Sequence, residues 1–428
     1  MSARPAVIVS SWADGLTVFE GGARARAFQG ARAWSLASDG AGGVHAIVGS
    51  REIWGWTPGG AWRREAVGDT DLACCLTLGG RLLAGTEDLC IVEFSGGRCR
   101  QAEDFTATPG REHWYAGAAL VGGRMLGPPL GVRTLSATCD GGALLANVHV
   151  GGIPRSTDGG ATWRPTIDID ADVHQVLGHP ARPEIVAAAS AAGLCLSRDG
   201  GESWTVTAEG LHSPYSLAVG LTQDWVFVSS STDHFSRDGA VYRRRIDGDG
   251  PLEPCGGGLP GRFEGIIDTG CIHARGEDLA IAAPDGGLYG SRDGGQSWTL
   301  WEGPAAVQRS VHMLKPANSA PRLIDRTFSA LADPHRRHVV ELLRERPHRA
   351  GELAEAVGLS APAMSRHLKT LRESRLVEET PAEFDTRVRI YRLRSQPMAH
   401  LKAWIEETER LWSEQLSALK TYVEKGEA

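Results

Sequence analysis

Three near-copies of one short motif constrain what this chain can fold into. They read STDGGATW, SRDGGESW and SRDGGQSW, and they begin at Ser156, Ser197 and Ser291. An aspartate in a tight turn accepts hydrogen bonds from backbone N–H groups of that turn, and the glycines permit positive φ. The tryptophan then packs its large area against a small sheet. The motif therefore predicts a repeated β-hairpin with structural residues Asp158, Trp163, Asp199, Trp204, Asp293 and Trp298.

Glycine-rich turns recur through the first three hundred residues near the forty-residue period of a four-stranded propeller blade. Short β-rich runs such as RLLAGTE and EIVAAAS lie between them, and no helical period of ten residues appears before residue 315. The turns predict an all-β propeller of about seven blades over residues 1–314, although two long spacings leave room for a missed unit. The marking turns lie at Gly21, Gly59, Gly96, Gly159, Gly200, Gly239 and Gly294.

The two ends of this region carry complementary strand patterns. The run AVQRSVHML (Ala306–Leu314) reads as a strand, and AVIVSSW and LTVFE read as strands near the N-terminus. Because propellers close radially and thereby protect their sheet edges, we expect the late strand to complete the blade that the early strands begin.

The repeated motifs resemble the Asp-box, or BNR, repeats of sialidase-like propellers. SRDGAVY (Ser236–Tyr242) is a degraded fourth copy, and TPGGAW (Thr57–Trp62) is weaker still. The resemblance implies that the Asp box is a fold element away from any catalytic centre. The early Arg-Ile-Pro motif of sialidases is missing, since the Ile-Pro of GGIPRS lies mid-chain. We therefore expect no catalytic residues and no enzyme activity, with a sialidase-like hydrolase as the alternative.

Cysteine usage and hydropathy bear on metals, cofactors and location. All eight cysteines precede residue 272, and none has a metal-finger spacing. Cys271 and His273 are two potential ligands, whereas a zinc site needs at least three protein donors. We therefore predict no metal site and no cofactor. With no signal-peptide pattern and no run of eighteen apolar residues, the sequence predicts a cytoplasmic protein with reduced thiols.

The chain changes character at KPANSAP (Lys315–Pro321), which is predicted to be a linker. Glycine becomes scarce after it, and the hydrophobic period becomes helical. Although the whole chain has a net charge of −7, Lys and Arg outnumber Asp and Glu by 15 to 11 between Arg322 and Ser395. A basic module of this kind favours a polyanionic partner, so a second domain over 322–428 is predicted to face nucleic acid.

The second domain is predicted to be a mainly-α winged helix-turn-helix. Asp333 caps the second of four helices, Gly358 ends the third, and Ser360 caps a fourth that runs to about Glu373. RLVEE and RVRIYRLR then alternate as a β-hairpin. The apolar positions expected to be buried are Leu323, Phe328 and Leu331 in the first helix, Val339, Leu342 and Leu343 in the second, and Met364, Leu368 and Leu371 in the fourth.

This order of elements predicts double-stranded DNA as the partner. The second helix of a helix-turn-helix pair enters the major groove, and its outward side supplies hydroxyls and cations. The hairpin offers arginines to the flanking backbone or minor groove. The predicted DNA-binding residues are Ser360, Ala363, Ser365, Arg366, His367 and Lys369 on the helix, and Arg387 and Arg389 on the hairpin.

The segments DRTFSALADPHRRHVVELL and LSAPAMSRHLKTLRESRLV resemble the ArsR/SmtB family of bacterial repressors, and the resemblance covers about residues 321–425. It implies a transcriptional repressor. Many members sense metals through cysteines of the third helix or Asp and His ligands of the last helix. Here the third helix has no cysteine and the last has only His400, which argues against sensing there. His335 and His338 are interpreted as partly exposed surface histidines.

The tail QPMAHLKAWIEETERLWSEQLSALKTYVEKG is predicted to be one long helix with an apolar stripe. The resemblance implies that such helices pair across a homodimer, which suits a palindromic operator. The predicted dimerisation residues are Leu401, Trp404, Ile405, Leu411, Trp412 and Leu419.

Two readings of the whole chain stay open. In the first, the propeller senses or tethers an unknown ligand or protein for a DNA-binding repressor. In the second, a binding propeller or glycosidase-like hydrolase carries an incidentally fused regulator, and Met313 lies where a free-standing repressor could start.

Overall fold

The protein divides into two compact units, Met1–Ala317 and Asn318–Ala428. The computed structural model describes residues 6–11, 14–20, 22–95, 98–115, 119–121, 124–126, 131–303, 308–314, 327, 330–382, 385–394 and 402. No helix in these ranges is long and apolar enough to cross a membrane.

The first unit consists of antiparallel four-stranded sheets, and the described residues form seven of them. The sheet that joins the two ends of the unit contains β1 (Ala6–Ser11), β2 (Leu16–Glu20), β3 (Ala23–Ala27) and β30 (Gln308–Leu314). The next contains β4 (Ala33–Ser38), β5 (Val44–Val48), β6 (Glu52–Trp56) and β7 (Arg63–Val67). The third contains β8 (Leu72–Leu78), β9 (Arg81–Thr86), β10 (Ile91–Ser95) and β11 (Arg98–Gln101).

The remaining four-stranded sheets follow in chain order. The fourth sheet contains β14 (Val132–Ala137), β15 (Leu144–Val148), β16 (Pro154–Ser156) and β17 (Arg164–Pro165). The fifth contains β18 (Val173–Gly178), β19 (Val186–Ser190), β20 (Gly193–Ser197) and β21 (Thr205–Thr207). The sixth contains β22 (Val219–Leu221), β23 (Trp225–Ser230), β24 (Ala240–Arg245) and β25 (Glu253–Pro254), and the seventh contains β26 (Ile272–Arg275), β27 (Asp278–Ala282), β28 (Leu288–Ser291) and β29 (Thr299–Glu302).

The sheets are arranged as a closed ring. The first strands of successive sheets contact one another from β4 through β8, β14, β18, β22 and β26 to β30, and β30 contacts β4 again. Buried Val, Ile, Leu and Ala residues of neighbouring sheets form the apolar layers between them. The unit is therefore propeller-like, with one strand of each sheet facing a common centre.

The ring closes with a strand from each end of the unit, as the sequence predicts. Strand β30 pairs antiparallel with β1 and places Ile8 opposite His312. The Ser10 and Ser310 hydroxyl oxygens lie 2.6 Å apart in a buried hydrogen bond. The closing sheet is built from strands of both ends of the unit. Detachment of either end strand would therefore expose the edge of the strand with which it pairs.

The two long turn spacings hold insertions rather than a further four-stranded sheet within the described residues. Between β11 and β14 lie two short 3-10 helices, Glu103–Ala107 and Arg111–His113, and the small hairpin of β12 (Ala119–Val121) and β13 (Arg124–Leu126). Between β25 and β26, the chain makes an isolated bridge from Phe263 to Gly239 and forms no strand.

The repeated motif forms the hairpin turn that its residues predict. One carboxylate oxygen of Asp293 accepts hydrogen bonds from the Ser291 hydroxyl at 2.8 Å and from the backbone N–H of Ser297 at 2.9 Å. Gly294 and Gly295 both have positive φ. The Trp298 indole is buried and donates to the Gly295 carbonyl at 3.1 Å.

The other two copies repeat this turn with one difference. Asp158 and Asp199 accept the same kinds of bonds, and Trp163 donates to the Gly160 carbonyl at 3.0 Å. The half-buried Trp204 instead donates to the Thr166 hydroxyl at 3.1 Å, and so ties its turn to the preceding sheet.

The second unit contains three described helices and a small sheet. The helices are α1 (Pro334–Glu345), α2 (Ala350–Val357) and α3 (Ala361–Glu373). The sheet has the order β31 (His348–Arg349), β33 (Asp385–Leu393), β32 (Val377–Ala382). Most of the predicted first helix and of the long terminal helix lies outside the described residues.

The predicted capping residues occupy the ends of these helices. The Asp333 carboxylate accepts the Arg336 backbone N–H at 3.0 Å, and Gly358 ends α2 with a φ of 73°. Ser360 is the N-cap residue of α3, but its side chain makes no capping bond. Pro362 lies in the first turn and has no N–H, which removes one of the donors that a capping hydroxyl bonds.

Candidate DNA interface and ligand cavity

Helix α3 is held against α2 by a tight turn and a shared core. The Leu359 N–H donates to the Ala354 carbonyl at 2.9 Å, and the Gly358 N–H donates to the Glu355 carbonyl at 3.2 Å. The predicted stripe of Met364, Leu368 and Leu371 is fully buried. Its neighbours in the core include Val339, Leu343, Leu353 and Tyr391. Burying each such side chain contributes about 1.5–3 kcal/mol, so the orientation of α3 about its own axis is fixed.

The opposite side of α3 is polar and accessible. Ser365, Arg366 and Lys369 are exposed, and so is Ser360 at the start of the helix. Ala363, which has a small side chain, is half-buried on the same side of the helix. Because the buried stripe fixes the helix, these side chains are presented together on one surface.

His367 lies at the edge of this surface, next to the start of α1. Its Nδ1 is 3.8 Å from an Asp333 carboxylate oxygen, and its ring centre is 5.7 Å from that of His335. The Arg336 backbone hydrogen bond, followed by the charges of Arg336 and His367, lowers the pKa of Asp333. His367 is half-buried, and so it is less exposed than Arg366.

The β-hairpin follows α3 directly and is tied to it. Arg372 of α3 forms a salt bridge with Glu379 of β32. Arg389 is exposed on β33 opposite Pro381, and Arg387 lies two residues earlier on β33, with its side chain outside the described residues. β31 pairs with β33 through His348 and Tyr391 and makes the hairpin a three-stranded sheet.

The propeller-like unit contains a cavity of about 1300 Å³ at the centre of its ring. Residues of all seven first strands or their adjoining loops line it. Most of the lining is apolar or small, but one side concentrates ionisable groups: Arg133, His149, Asp172, His174, Tyr215 and His234.

Three of these groups converge on one point. The nearest Asp172 carboxylate oxygen is 3.5 Å from His149 Nε2 and 3.7 Å from His174 Nε2. All three potential ligand atoms lie within 4.8 Å of one another. His149 follows β15, Asp172 ends a 3-10 helix (Ile169–Ala171), and His174 lies in β18.

The electrostatics of this cluster keep both imidazoles neutral at pH 7. Burial, followed by the charge of Arg133, lowers the pKa of His149 and of His174 to about 3 in each case. Burial raises the pKa of Asp172, and Arg133 opposes that shift. Burial, followed by the charge of Asp172, raises the pKa of Tyr215 to about 12. The neutral imidazoles therefore each keep a lone pair, beside a carboxylate.

Comparison with known proteins assigns the second unit. A sequence profile described as bacterial regulatory protein, arsR family, matches residues 333–379. The HTH-type transcriptional regulator Rv2034 of Mycobacterium tuberculosis is 41% identical over 99 residues, which are 23% of this chain and 87% of that protein. The chain belongs to the arsR family of bacterial regulatory proteins. Its ArsR-family unit is a helix-turn-helix domain that functions in transcription regulation by binding DNA.

A second relative of this ArsR-family chain is the transcriptional repressor SdpR of Bacillus subtilis. It is 32% identical over 56 residues, which are 13% of this chain and 62% of that protein. Both relatives match a small part of this chain.

Solved structures similar to the larger part of the chain include the WD40 beta propeller domain of Doa1. That domain has a TM-score of 0.46 and 15% identity, over 66% of this chain and 89% of its own. An ancestral GH74 enzyme has a TM-score of 0.45 and 14% identity, over 66% of this chain and 38% of its own. The propeller-like architecture itself rests on the ring of four-stranded sheets.

The histidines and aspartate of the cavity escape prediction from the sequence. His149 and His174 are single histidines in the apolar runs NVHVGG and DVHQVL, and they are brought together only by the neighbouring positions of β15 and β18 in the ring. Asp172 has a φ of 47°, which is unusual for a residue with a side chain. In the sequence the pair of potential ligands is Cys271 and His273, which are predicted not to form a metal site. His273 contacts His312 of the neighbouring strand β30 with ring centres 4.2 Å apart, and burial raises the pKa of the Cys271 thiol to about 12.

Proposed function

We propose that this ArsR-family chain is a cytoplasmic transcriptional repressor that binds double-stranded DNA through α3, with the propeller-like unit as its effector-binding module. Each four-stranded sheet is then one blade, and the Asp-box turns are structural. The observation that carries the proposal is the exposed row of Ser365, Arg366 and Lys369, opposite a fully buried apolar stripe in a family-matched helix.

The chemistry of this surface suits the major groove. An arginine bonds guanine O6 and N7 or a phosphate, and serine hydroxyls bond phosphates or base edges. Arg366 and Lys369 are three residues apart and therefore neighbours on the helix surface. Arg387 and Arg389 of the hairpin would contact the flanking backbone or minor groove. Ala363 leaves room for a base edge, and His367 would contact the DNA from the side of α1.

We propose that the protein acts as a homodimer through its C-terminal helix, on the strength of the apolar stripe of Leu401, Trp404, Ile405, Leu411, Trp412 and Leu419. Sedimentation of the full chain tests this. Trp404→Glu with Trp412→Glu should give a monomer, because a charge on the stripe cannot be buried in the partner. Glu406→Lys, which changes a charge off the stripe, should leave the dimer intact. A Trp variant that stays dimeric would contradict the proposal.

Competition binding tests the DNA assignment. The full chain should bind DNA from upstream of its own gene at least a thousandfold more tightly than unrelated DNA of equal length. Arg366→Ala should reduce that ratio, because it removes a base-reading side chain. Arg344→Ala, an exposed arginine of α1, serves as the control and should leave the ratio unchanged. Equal affinity for both DNAs in the wild type would contradict sequence-specific binding.

A second candidate function is a ligand-binding or hydrolytic propeller to which the regulator is incidentally fused. The large cavity with its cluster of ionisable groups favours this candidate. Thermal-shift screening of the full chain against metabolites and glycosides, followed by DNA binding with each hit, separates the two functions. A ligand that stabilises the protein and changes DNA affinity supports the effector role, whereas stabilisation or turnover with unchanged DNA affinity supports the second candidate.

A further inference from the structure

We propose that His149, Asp172 and His174 form a binding site for a divalent transition metal ion of the Zn²⁺ type in the cavity of the propeller-like unit. The inference goes beyond DNA binding and does not depend on it. Two imidazole nitrogens and one carboxylate oxygen are a donor set that Zn²⁺ uses in catalytic sites, where the fourth position is left for water or another ligand.

The distances within the cluster suit one small ion. Tetrahedral coordination with bonds of about 2.0–2.1 Å places ligand atoms about 3.3 Å from one another. Here the Asp172 carboxylate oxygen is 3.5 Å from one imidazole Nε2 and 3.7 Å from the other. Small side-chain movements would therefore bring all three atoms into the first coordination sphere.

The state of His174 is the second independent indication. Its Nδ1 lies 2.7 Å from the Ser216 backbone carbonyl, which can only accept, so Nδ1 carries the proton and Nε2 carries the lone pair. The residue is 1% exposed, and its Nε2 is buried without a hydrogen-bond partner, as is the facing Asp172 carboxylate oxygen. Buried polar atoms are costly to leave unpaired, and a metal ion would satisfy both. The histidine–carbonyl bond is also the usual outer support of a metal-bound imidazole.

The surrounding backbone holds the three groups in place. The Asn147 side chain donates to the Val173 carbonyl at 2.7 Å and so links β15 to β18 between the two histidines. Asp172 keeps its left-handed conformation with its own N–H bonded to the Ile169 carbonyl at 3.2 Å and its carbonyl accepting from the Ala191 N–H at 3.0 Å. Such conformations persist only where neighbouring bonds enforce them, and they cluster at functional sites.

The site faces the cavity and takes an anionic ligand. Arg133 lines the same cavity as the three proposed ligands, and Tyr215 packs on His174 with ring centres 5.0 Å apart. A divalent ion beside one carboxylate and one guanidinium leaves an excess of positive charge. A carboxylate or other oxyanion, bound to the open metal position and to Arg133, would balance it.

Cobalt substitution tests the metal site in the full chain after chelator treatment, with no DNA present. Titration with Co²⁺ should give visible d–d absorption that saturates at one ion per chain, without a thiolate charge-transfer band, and Zn²⁺ should displace the ion. His149→Ala, His174→Ala and the near-isosteric Asp172→Asn should each weaken Co²⁺ binding at least tenfold. Thermal denaturation without metal checks that each variant folds, and Asp172→Asn decides the question if the histidine variants do not fold.

A matched control is available in the second unit, where Asp333, His335 and His367 also lie together. His335→Ala should leave the Co²⁺ spectrum and affinity unchanged. The proposal is overturned by absence of binding in the wild type, by a thiolate band, by unaltered affinity in Asp172→Asn, or by loss of binding in His335→Ala. Because the titration contains no DNA, its failure is distinguishable from failure of the DNA-binding proposal.

Acetate tests the open position. Added to the Co²⁺ protein, acetate should shift the d–d bands, and Arg133→Gln should weaken that effect at least tenfold while retaining Co²⁺. An unchanged spectrum at saturating acetate would contradict the anionic-ligand part of the inference.

Discussion

At the scale of single residues, the aspartates of the repeated turns stabilise those turns by accepting several hydrogen bonds each. Asp293 accepts bonds from the hydroxyls of Ser291 and Ser297 and from the backbone N–H groups of Gln296 and Ser297. Removing a charged acceptor leaves those donors without their partner.

Asp293→Ala should therefore lower the free energy of unfolding of the first unit by about 1–3 kcal/mol, measured by urea denaturation. Asp249→Ala is the control, since that side chain is 97% exposed and its ion pair is with the exposed Arg198. The control should change the free energy by less than about 0.5 kcal/mol. Equal effects of the two substitutions would show that the turn bonds add no stability.

The pH dependence of the equivalent turn at Asp199 has a defined sign. Burial acts to raise the pKa of Asp199, but the bonds from Ser203, Ser197 and Glu202 outweigh it and lower the pKa to about 2. Its stabilising contribution is therefore present above about pH 4 and is lost as the pH falls toward 2. The stability difference between wild type and Asp199→Asn should shrink between pH 5 and pH 3 in urea denaturation. A difference that grows on acidification would contradict this sign.

Residue identity alone predicts the turns but not the cavity cluster. The repeated turn motif acts within eight consecutive residues, so its geometry is local. Asp172 and His174 are two residues apart, but His149 is brought to them only by the side-by-side packing of β15 and β18. Nothing in the local sequence distinguishes the two histidines from ordinary strand histidines.

At the scale of elements, the helix-turn-helix follows from capping chemistry and helical spacing. Asp333, Gly358 and the stripe of Met364, Leu368 and Leu371 are where the sequence predicts them. The exception among the caps is Ser360, whose bond is lost beside Pro362. Strand β31 is only two residues long, which is too short to show an alternating apolar pattern in the sequence. It forms because its backbone pairs with the free edge of β33.

Gly358→Ala tests the turn before α3. A side chain at a φ of 73° is strained, so we expect a loss of about 1 kcal/mol in the stability of the second unit and weaker DNA binding. Gly351→Ala in α2 is the matched control, because a side chain there meets open space at a φ outside the left-handed region. The control should be neutral or slightly stabilising. A neutral Gly358→Ala in urea denaturation would show that the turn is not held in this conformation.

At the scale of the whole molecule, the turn period predicts the ring of sheets, and the strand patterns at the two ends of the first unit predict the pairing of β1 with β30. It does not predict what the long spacings contain, because 3-10 turns and irregular loops have no period. Among the described residues, the apolar clusters of the two units are separate: one uses residues from Ala330 to Leu393, and the others use residues up to Leu314.

Separate cores predict separate unfolding. Calorimetry of the full chain should show two transitions, with Asp293→Ala lowering only one and Gly358→Ala lowering only the other. One shared transition that both variants shift equally would contradict independent cores.

The central claim is that α3 is the DNA-contacting element, and the salt dependence of DNA affinity tests it most directly. For the full chain on its upstream DNA, the logarithm of the binding constant should fall linearly with the logarithm of salt concentration. Arg366→Ala with Lys369→Ala should weaken binding and reduce the slope by about 2, whereas Arg344→Ala with Arg346→Ala, an equal loss of charge on exposed residues away from α3, should change neither. Unchanged affinity and slope in the α3 variant, or equal changes in both variants, would contradict the claim.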